Sequence, residues 1–230
     1  MDTNLERLIE RLRRAEVLGY LTEGERVELA RPAVRRSLGK GDVISFQGDD
    51  ARFVLFIASG ALRSVISAPD GREYIVSTWE TGEEFWSHSL LDGDPMPSTL
   101  EAIHKSTVVY QWPGEIALQA VLRNERATRA LLRRQTQLIR KRRQNIYNLA
   151  FNPVASRLAK LVVDKFANAE SPTVQRDLTL EEMASMVASS PEVICRILYQ
   201  FQSEGLLQVN RASITLHNRE GLEKLILKDE

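Results

Sequence analysis

The sequence predicts an α+β fold in three parts: an N-terminal antiparallel β-roll with flanking helices (residues 1–115), a long dimerisation helix (residues 116–151), and a C-terminal winged helix-turn-helix (residues 152–230). Three observations predict this order. Short β-type runs alternate with turn residues in the first part, and residues 125–149 contain neither glycine nor proline. In the last part, two short capped helices precede a hairpin pattern.

The N-terminal segment predicts two helices. Over residues 4–18, leucine and isoleucine recur at the i, i+3, i+4 and i+7 spacing of one helix face, which indicates an amphipathic helix. Thr22 followed by Glu25 has the spacing of a capping box, in which each residue accepts a hydrogen bond from the backbone of the other. A second, short helix is therefore predicted from this point.

Four β-type runs follow, at residues 53–58, 62–66, 74–79 and 107–112. Turn residues lie between them, for example Pro69-Asp70-Gly71. Strands of this length at roughly regular spacing are typical of an antiparallel roll, barrel or sandwich. A helical interpretation is disfavoured, because glycine and proline would interrupt every candidate helix.

Residues 125–149 predict one long helix with an imperfect heptad seam. Apolar residues recur every seven positions, and such a seam is completed by a partner helix. The predicted dimer interface consists of Leu131, Leu138, Ile139, Ile146 and Leu149. The alternative is a core helix within a single domain. Charged flanking residues such as Arg133 and Arg134 favour the dimer, because a helix buried on every side would not carry them.

Charge is distributed unevenly along the chain, although its formal sum is zero. Residues 1–115 carry a net charge of −6, residues 116–150 of +8, and residues 151–230 of −2. The long helix is therefore the basic element, and the C-terminal part is not cationic as a whole. A nucleic-acid function must rest on a motif rather than on overall charge.

The composition excludes several classes of protein. Because Cys195 is the single cysteine, this chain alone cannot build a disulfide, a multi-cysteine zinc site or an iron-sulfur cluster. His88, His104 and His217 are widely separated, and no P-loop, GxGxxG or Ser/His/Asp pattern is visible, so we expect neither an enzyme nor a metal site. No apolar stretch has the length of a bilayer span, and the charged N-terminus differs from a secretory leader. We expect a cytoplasmic protein without a membrane partner.

The C-terminal part carries a helix-turn-helix pattern. Thr179 with Glu182 predicts a capped first helix, Pro191 fits the first position of the second helix, and Gly205 ends it. The predicted DNA contacts are Ser189, Ser190, Glu192, Val193 and Arg196. Arginine suits guanine, glutamate accepts from the cytosine amine, and valine contacts the thymine methyl group. The alternative is an ordinary helical hairpin. Cys195 is interpreted as a packing or surface residue, with a redox-sensitive thiol as the alternative.

In this order the motifs resemble those of the CRP/FNR superfamily of bacterial transcription regulators, and the resemblance spans nearly the whole chain. Residues 41–44 (GDVI), 56–60 (FIASG) and 82–85 (GEEF) are similar to turns of the family's β-roll. Residues 148–151 (NLAF) are similar to its hinge after the dimerisation helix, and residues 190–198 (SPEVICRIL) to its recognition helix.

The resemblance implies a homodimeric transcription regulator with a cyclic-nucleotide-binding-like sensor domain. Its partners would be double-stranded DNA, through a palindromic operator, and RNA polymerase. Arg157 and Arg176 are candidate phosphate contacts. Members with an arginine just before the recognition glutamate contact an outer guanine; Pro191 stands there in this chain, which implies relaxed specificity, or a preference for T or A, at that position. The alternative is an effector-sensing protein that acts through protein contacts, with a degenerate helix-turn-helix.

The predicted effector site departs from the family members that bind cyclic AMP. Those members carry a glutamate for the ribose hydroxyl and an arginine for the cyclic phosphate, and His88 and Ser98 stand at these positions here. Cyclic AMP is therefore not expected. An iron-sulfur cluster is not expected either, because the chain has a single cysteine, and the effector is unidentified. Haem is an alternative, with His88 or His104 as axial ligand. The predicted pocket consists of His88, Ser89, Ser98, Thr99, Arg142 and Arg143. Its two arginines would bind an anionic effector or, alternatively, form a solvated face.

Overall fold

The computed structural model describes residues 3–166, 169, 171–176 and 178–226. Contacts divide these residues into two compact units. The first contains the residues up to Ile66 together with Val76–Lys141, and the second contains Ser67–Ile75 together with the residues from Arg142 onward. None of the helices in these ranges is long and apolar enough to cross a bilayer.

The first unit begins with two α-helices, α1 (Thr3–Leu12) and α2 (Glu23–Ala30), with a 3-10 helix (Leu18–Tyr20) between them. The predicted capping box at the start of α2 is confirmed. Helix α1 ends at Leu12 rather than at residue 18 as predicted, because the chain folds back against it. A Cβ atom on Gly19 would lie 2.9 Å from the Arg13 carbonyl oxygen, so this close approach requires glycine.

Two antiparallel sheets of four strands each form the predicted β-roll. The strands and the short helix between them are β1 (Val34–Leu38), β2 (Val43–Ser45), β3 (Phe53–Ser59), β4 (Ala61–Ser67), β5 (Glu73–Glu80), β6 (Glu84–Trp86), α3 (His88–Leu91), β7 (Thr99–Ala102) and β8 (Thr107–Pro113). One sheet has the order β1-β8-β3-β6 and the other β2-β7-β4-β5. The four strands predicted from the sequence correspond to β3, β4, β5 and β8.

Strand β3 is buried on both faces, which explains its uninterrupted apolar sequence. Phe53, Leu55 and Ile57 contribute to the core inside the roll. The alternate residues Val54 and Phe56 belong to a second core, on the outer face of this sheet. That outer core is covered by helices from both ends of the first unit.

The helices that complete this cover are α4 (Gly114–Leu122) and the first part of α5 (Glu125–Phe151), the predicted long helix. Leu131 is 6% exposed and packs in the outer core of its own chain, whereas its neighbour Leu132 is 63% exposed. This differs from the prediction that Leu131 lies in a dimer interface. The early turns of α5 present one face to the roll, so a residue on that face is already covered.

The second unit contains the predicted helix-turn-helix. Its elements are α6 (Val154–Lys165), β9 (Thr173–Gln175), α7 (Leu180–Val187), α8 (Pro191–Ser203), β10 (Leu207–Val209), β11 (Ser213–Leu216) and α9 (Arg219–Leu225). The hairpin β10–β11 was predicted from the sequence, whereas β9 was not. It pairs antiparallel with β11 and makes the wing three-stranded. Val174 of β9 packs against the core of this unit.

Candidate nucleic-acid interface

Helix α7 begins with the predicted capping box. The Thr179 hydroxyl accepts a hydrogen bond of 3.1 Å from the Glu182 backbone N–H, and a Glu182 carboxylate oxygen accepts one of 2.8 Å from the Thr179 N–H. Met183, Ala184 and Val187 are buried, so the helix packs through one face. The helix start is therefore fixed by local residues.

The turn between α7 and α8 depends on Ala188. This residue adopts the left-handed conformation, with φ 50° and ψ 62°, and is the single non-glycine residue with positive φ among those described. Its own N–H and that of Ser189, at 2.9 Å, both donate to the carbonyl of Ala184. The helix-turn-helix pattern requires a turn between the two helices, and the left-handed residue provides it.

Helix α8 begins with Pro191 directly after Ser190, as predicted. Its end also follows the prediction: Gly205 has a φ of 69°, and the N–H of Leu206 donates to the carbonyl of Phe201 at 2.9 Å. The apolar face of α8 is buried; it consists of Ile194, Ile197, Leu198 and Phe201. The opposite face of the helix is available to a partner.

Glu192 and Arg196 lie on the exposed face, one helical turn apart. Ser189, Ser190 and Val193 are half-buried, and Val193 packs against the core of the unit. The structure thus exposes two of the five predicted DNA contacts and leaves the other three half-buried.

The two charged residues are arranged to offer opposite hydrogen-bonding groups. The Glu192 side chain is ionised at neutral pH and therefore accepts hydrogen bonds, and a hydrogen bond from the Ser190 side chain lowers its pKa further. Within the described residues, no ion pair engages Arg196. The N-terminal half of α8 therefore presents one carboxylate and one guanidinium, the groups that pair with the cytosine amine and the guanine edge.

Tyr199 extends this face and was missed by the sequence analysis. It is 67% exposed, three residues after Arg196 and seven after Glu192, so all three share one side of α8. The sequence pattern that could have predicted Tyr199 is the i, i+3, i+4 spacing that identified the buried face, applied instead to the polar residues.

Two further arginines were predicted as phosphate contacts. Arg157 directs its donors at backbone carbonyls, with a 3.0 Å bond from Nε to Val187 and a 2.8 Å bond from Nη1 to Asn152. This arrangement differs from the prediction. Arg176 makes longer bonds, to the carbonyls of Leu178 (3.3 Å) and Asn210 (3.4 Å), and stays a predicted phosphate contact.

The predicted effector residues occupy the region around α3. His88 and Ser89 are the first two residues of α3; His88 is half-buried and Ser89 is buried. The side chain of Ser98 is buried and shares a short hydrogen bond with that of Ser64 on β4. The hydroxyl of Thr99 accepts a 3.1 Å bond from the N–H of Gln47. The hydroxyl of Ser89 donates to the carbonyl of Asp49 at 3.5 Å, so all three hydroxyls are already engaged within the roll.

The other two predicted effector residues, Arg142 and Arg143, lie on α5 in the second unit. Arg143 is exposed, while Arg142 is half-buried, and burial lowers the pKa of its guanidinium. No cluster of three or more His, Cys, Asp or Glu side chains suited to a metal ion occurs in the described ranges.

Two family models match the chain. The model for the cyclic nucleotide-binding domain matches residues 35–149. The model for the Crp-like helix-turn-helix domain matches residues 154–225. The two matches thus follow one another along the chain, and the second contains all of α7, α8 and the wing.

Characterised relatives match most of the chain. The CRP-like cAMP-activated global transcriptional regulator of Mycobacterium tuberculosis is 26% identical over 190 residues, which cover 80% of this chain and 84% of that protein. The transcriptional activator protein FnrA of Stutzerimonas stutzeri is 24% identical over 192 residues, 81% of this chain and 78% of that protein. The fold is shared with a crp/fnr-family transcriptional regulator from Eubacterium rectale, with a TM-score of 0.76, 21% identity, and 91% and 96% of the two chains covered.

Proposed function

The chain belongs to the CRP/FNR superfamily of transcription regulators, and on this basis we propose that it binds an inverted-repeat operator as a homodimer through α8. An effector in the β-roll, of unidentified chemistry, would control this binding. Membership of this family makes the chain a DNA-binding transcription regulator with a Crp-like helix-turn-helix. The proposal adds the inverted-repeat operator, the dimer interface and the residues that contact the bases.

The observation that carries the proposal is the exposed face of α8. Glu192 and Arg196 project from the N-terminal half of a helix whose opposite face is buried, and this half is the part that enters the major groove in helix-turn-helix proteins. The net charge of −2 over residues 151–230 does not add to this support, and it is the observation that most favours the alternative with a degenerate helix-turn-helix.

The proposed dimer interface lies along α5. Leu132, Ile139 and Ile146 recur every seven residues and are 63%, 66% and 66% exposed. Three large apolar side chains in one heptad row are typical of a helix that pairs with another copy. Leu138 and Leu149, each half-buried, lie beside this row and complete the proposed seam.

The proposal for the effector rests on the residues of this chain, and the proposal of RNA polymerase as a partner rests on the family. The M. tuberculosis relative is named as activated by cAMP, but neither a carboxylate nor a guanidinium stands at the positions of His88 and Ser98 in this chain. We therefore propose an effector other than cyclic AMP. Contact with RNA polymerase is proposed from family membership alone.

Selection of bound sequences from a random duplex library tests this function. The wild type should enrich an inverted repeat with half-sites about one helical turn apart. Arg196→Ala should bind about 1–3 kcal/mol more weakly and lose discrimination at one guanine per half-site. Arg219→Ala is the matched control, because Arg219 is exposed on α9 and pairs with Glu223.

An asymmetric wild-type site, or a motif unchanged by Arg196→Ala, would show that α8 does not contact the bases. Failure to enrich any sequence would instead favour the alternative in which the protein acts through protein contacts.

A further inference from the structure

Arg157, near the start of α6, caps the C-terminus of α5. This helix ends just before Pro153, which begins the next helix and has no N–H to donate. The terminal carbonyls of a helix lack partners within it. Here Nη1 of Arg157 donates to the backbone carbonyls of Asn152 at 2.8 Å and Leu149 at 3.3 Å. It also lies 3.4 Å from the carbonyl of Asn148, which accepts a 3.0 Å bond from the Asn152 N–H as well.

The same guanidinium caps the C-terminus of α7. Its Nε donates to the Val187 carbonyl at 3.0 Å, and its Nη2 is 3.4 Å from the Ala188 carbonyl. Ala188 is the left-handed residue of the turn, a conformation that costs an L-residue free energy and persists where surrounding contacts enforce it. Arg157 provides two of these contacts.

One side chain therefore joins the end of α5 to the turn that leads into α8. Both helix ends carry partial negative charge from their dipoles, so a cation between them is favoured at each. A planar guanidinium with donors in fixed directions can hold two sets of carbonyls, whereas a lysine ammonium cannot reproduce this geometry.

We propose that Arg157 is a positioning residue for operator recognition: it fixes α8 relative to the end of α5, and thereby sets the half-site spacing that the dimer selects. This inference rests on the proposed function. In a dimer joined through α5, the distance between two recognition helices depends on how each helix-turn-helix is attached to that helix. Loosening the attachment should widen the range of spacings tolerated, and leave the half-site sequence unchanged.

The test uses full-length Arg157→Lys and Arg157→Gln, with Lys160→Gln as the matched control. Lys160 is exposed on the same helix, one turn further on, and its loss also removes one positive charge. Each protein is offered a library in which the selected half-site is repeated with spacers of different length. Both Arg157 variants should show a preference for the best spacer about tenfold smaller than in wild type, as expected when hydrogen bonds from a charged donor are lost. Lys160→Gln should keep the wild-type preference.

A second measurement separates positioning from stability. Amide hydrogen exchange at Ala188 and Ser189 should accelerate in the Arg157 variants, while circular dichroism shows a folded C-terminal unit. Unfolding of this unit in Arg157→Lys would assign the residue a stabilising role and overturn the inference.

Two further results would also overturn it. One is an unchanged spacer preference in both variants. The other is equal weakening at all spacings with a smaller salt dependence, which indicates a phosphate contact. A wild type that selects no inverted repeat would be a different result, because it removes the proposed function itself and this inference with it.

Discussion

The guanidinium of Arg134, on α5, donates a hydrogen bond of 2.8 Å from Nη2 to the backbone carbonyl of Glu84 in β6. Arg134 is 7% exposed, pairs with the carboxylate of Glu16, and lies 3.6 Å from that of Glu83. Because β6 leads directly into α3, this contact joins the long helix to the strand that precedes His88. The first part of α5 is thereby attached to the predicted effector region.

Replacing Arg134 by glutamine should lower the free energy of unfolding of the first unit by about 1–3 kcal/mol, because the buried carbonyl of Glu84 loses its charged donor. The matched control is Arg133→Gln, whose side chain is exposed one residue earlier. Urea unfolding followed by tryptophan fluorescence is the measurement, since Trp79, Trp86 and Trp112 all lie in the first unit. Equal effects of the two substitutions would contradict the role given to Arg134.

The Glu84 side chain predicts a dependence of stability on pH. Burial raises the pKa of this carboxyl, although its oxygens accept hydrogen bonds from the N–H groups of Val17 (3.0 Å) and Leu18 (2.9 Å) and from Nε1 of Trp86 (2.9 Å). A carboxyl with a raised pKa in the folded state binds its proton more tightly there than in the unfolded chain. Its contribution to stability is therefore present below the unfolded pKa and is lost as the pH rises through the folded value.

As the pH is raised from about 4, the free energy of unfolding of the wild type should contain a decrease that comes from ionisation of Glu84. The Glu84→Gln variant should lack this decrease, because glutamine does not ionise. Glu80→Gln, on an exposed residue of β5 in the first unit, is the control and should keep the wild-type profile. Identical pH profiles for wild type and Glu84→Gln would exclude Glu84 as the titrating group.

The elements predicted from the sequence are those with a strong local signal. Strand β3 is a continuous apolar run, and α7 has both halves of its capping box. Strand β1 (VRRSL) was not predicted, because it is a mostly exposed edge strand whose two arginines obscure the alternation. Strand β9 was also missed, since three residues have no periodicity of their own and are ordered by pairing with β11.

The residues of the candidate site also differ in whether the local sequence could predict them. Glu192 and Arg196 were predicted because a helix start and a period of 3.6 are sufficient to place them on one face. The roles of Arg134 and Arg157 were not predicted, since each depends on partners distant in sequence. Arg134 contacts Glu84, 50 residues away, and Arg157 contacts Val187, 30 residues away. In sequence, both were indistinguishable from arginines on a solvated helix face.

The exposed apolar row on α5, formed by Leu132, Ile139 and Ile146, predicts that a charged residue placed in it weakens dimerisation. Ile139→Glu should weaken self-association at least about tenfold, because a carboxylate would be buried between two apolar helices. Gln137→Glu is the control, as Gln137 is exposed about half a turn away on the opposite side of the helix. Sedimentation equilibrium at micromolar concentrations distinguishes the two. Equal dimerisation of both variants would contradict the seam.

Neighbouring leucines on α5 should respond differently to truncation. Leu131→Ala should lower the free energy of unfolding of the first unit by about 2–5 kcal/mol, because it leaves a cavity in the outer core. Leu132→Ala should leave that value nearly unchanged and weaken dimerisation instead, since its side chain is exposed in the single chain. Both variants are measured by the same fluorescence and sedimentation methods. If Leu131→Ala weakened dimerisation and Leu132→Ala lowered the stability of the first unit, Leu131 would be assigned to the dimer interface.

Cyclic AMP should bind weakly, with a dissociation constant above the micromolar range. The buried hydroxyl of Ser98 already pairs with Ser64 and offers no charge to a cyclic phosphate, and a phosphate without a charged or strongly dipolar partner is poorly held. Isothermal titration calorimetry measures this, with the cAMP-activated M. tuberculosis relative as the positive control. A dissociation constant of micromolar or below would overturn the assignment of His88 and Ser98 to the nucleotide positions.

The identity of residue 191 should set specificity at the outer position of each half-site. Pro191 is the first residue of α8 and lies just before Glu192, so its side chain is at the end of the helix that approaches DNA first, and it offers no donor. Wild type should therefore discriminate little at this position. Pro191→Arg should introduce a preference for guanine worth about 1–3 kcal/mol, the usual range for a bidentate arginine contact. Pro191→Ser is the control, because it also removes the favourable proline but supplies no guanidinium. Sequence selection with the three proteins decides the matter: a strong outer preference in wild type, or the same motif for Pro191→Arg and Pro191→Ser, would show that this end of α8 does not reach the bases.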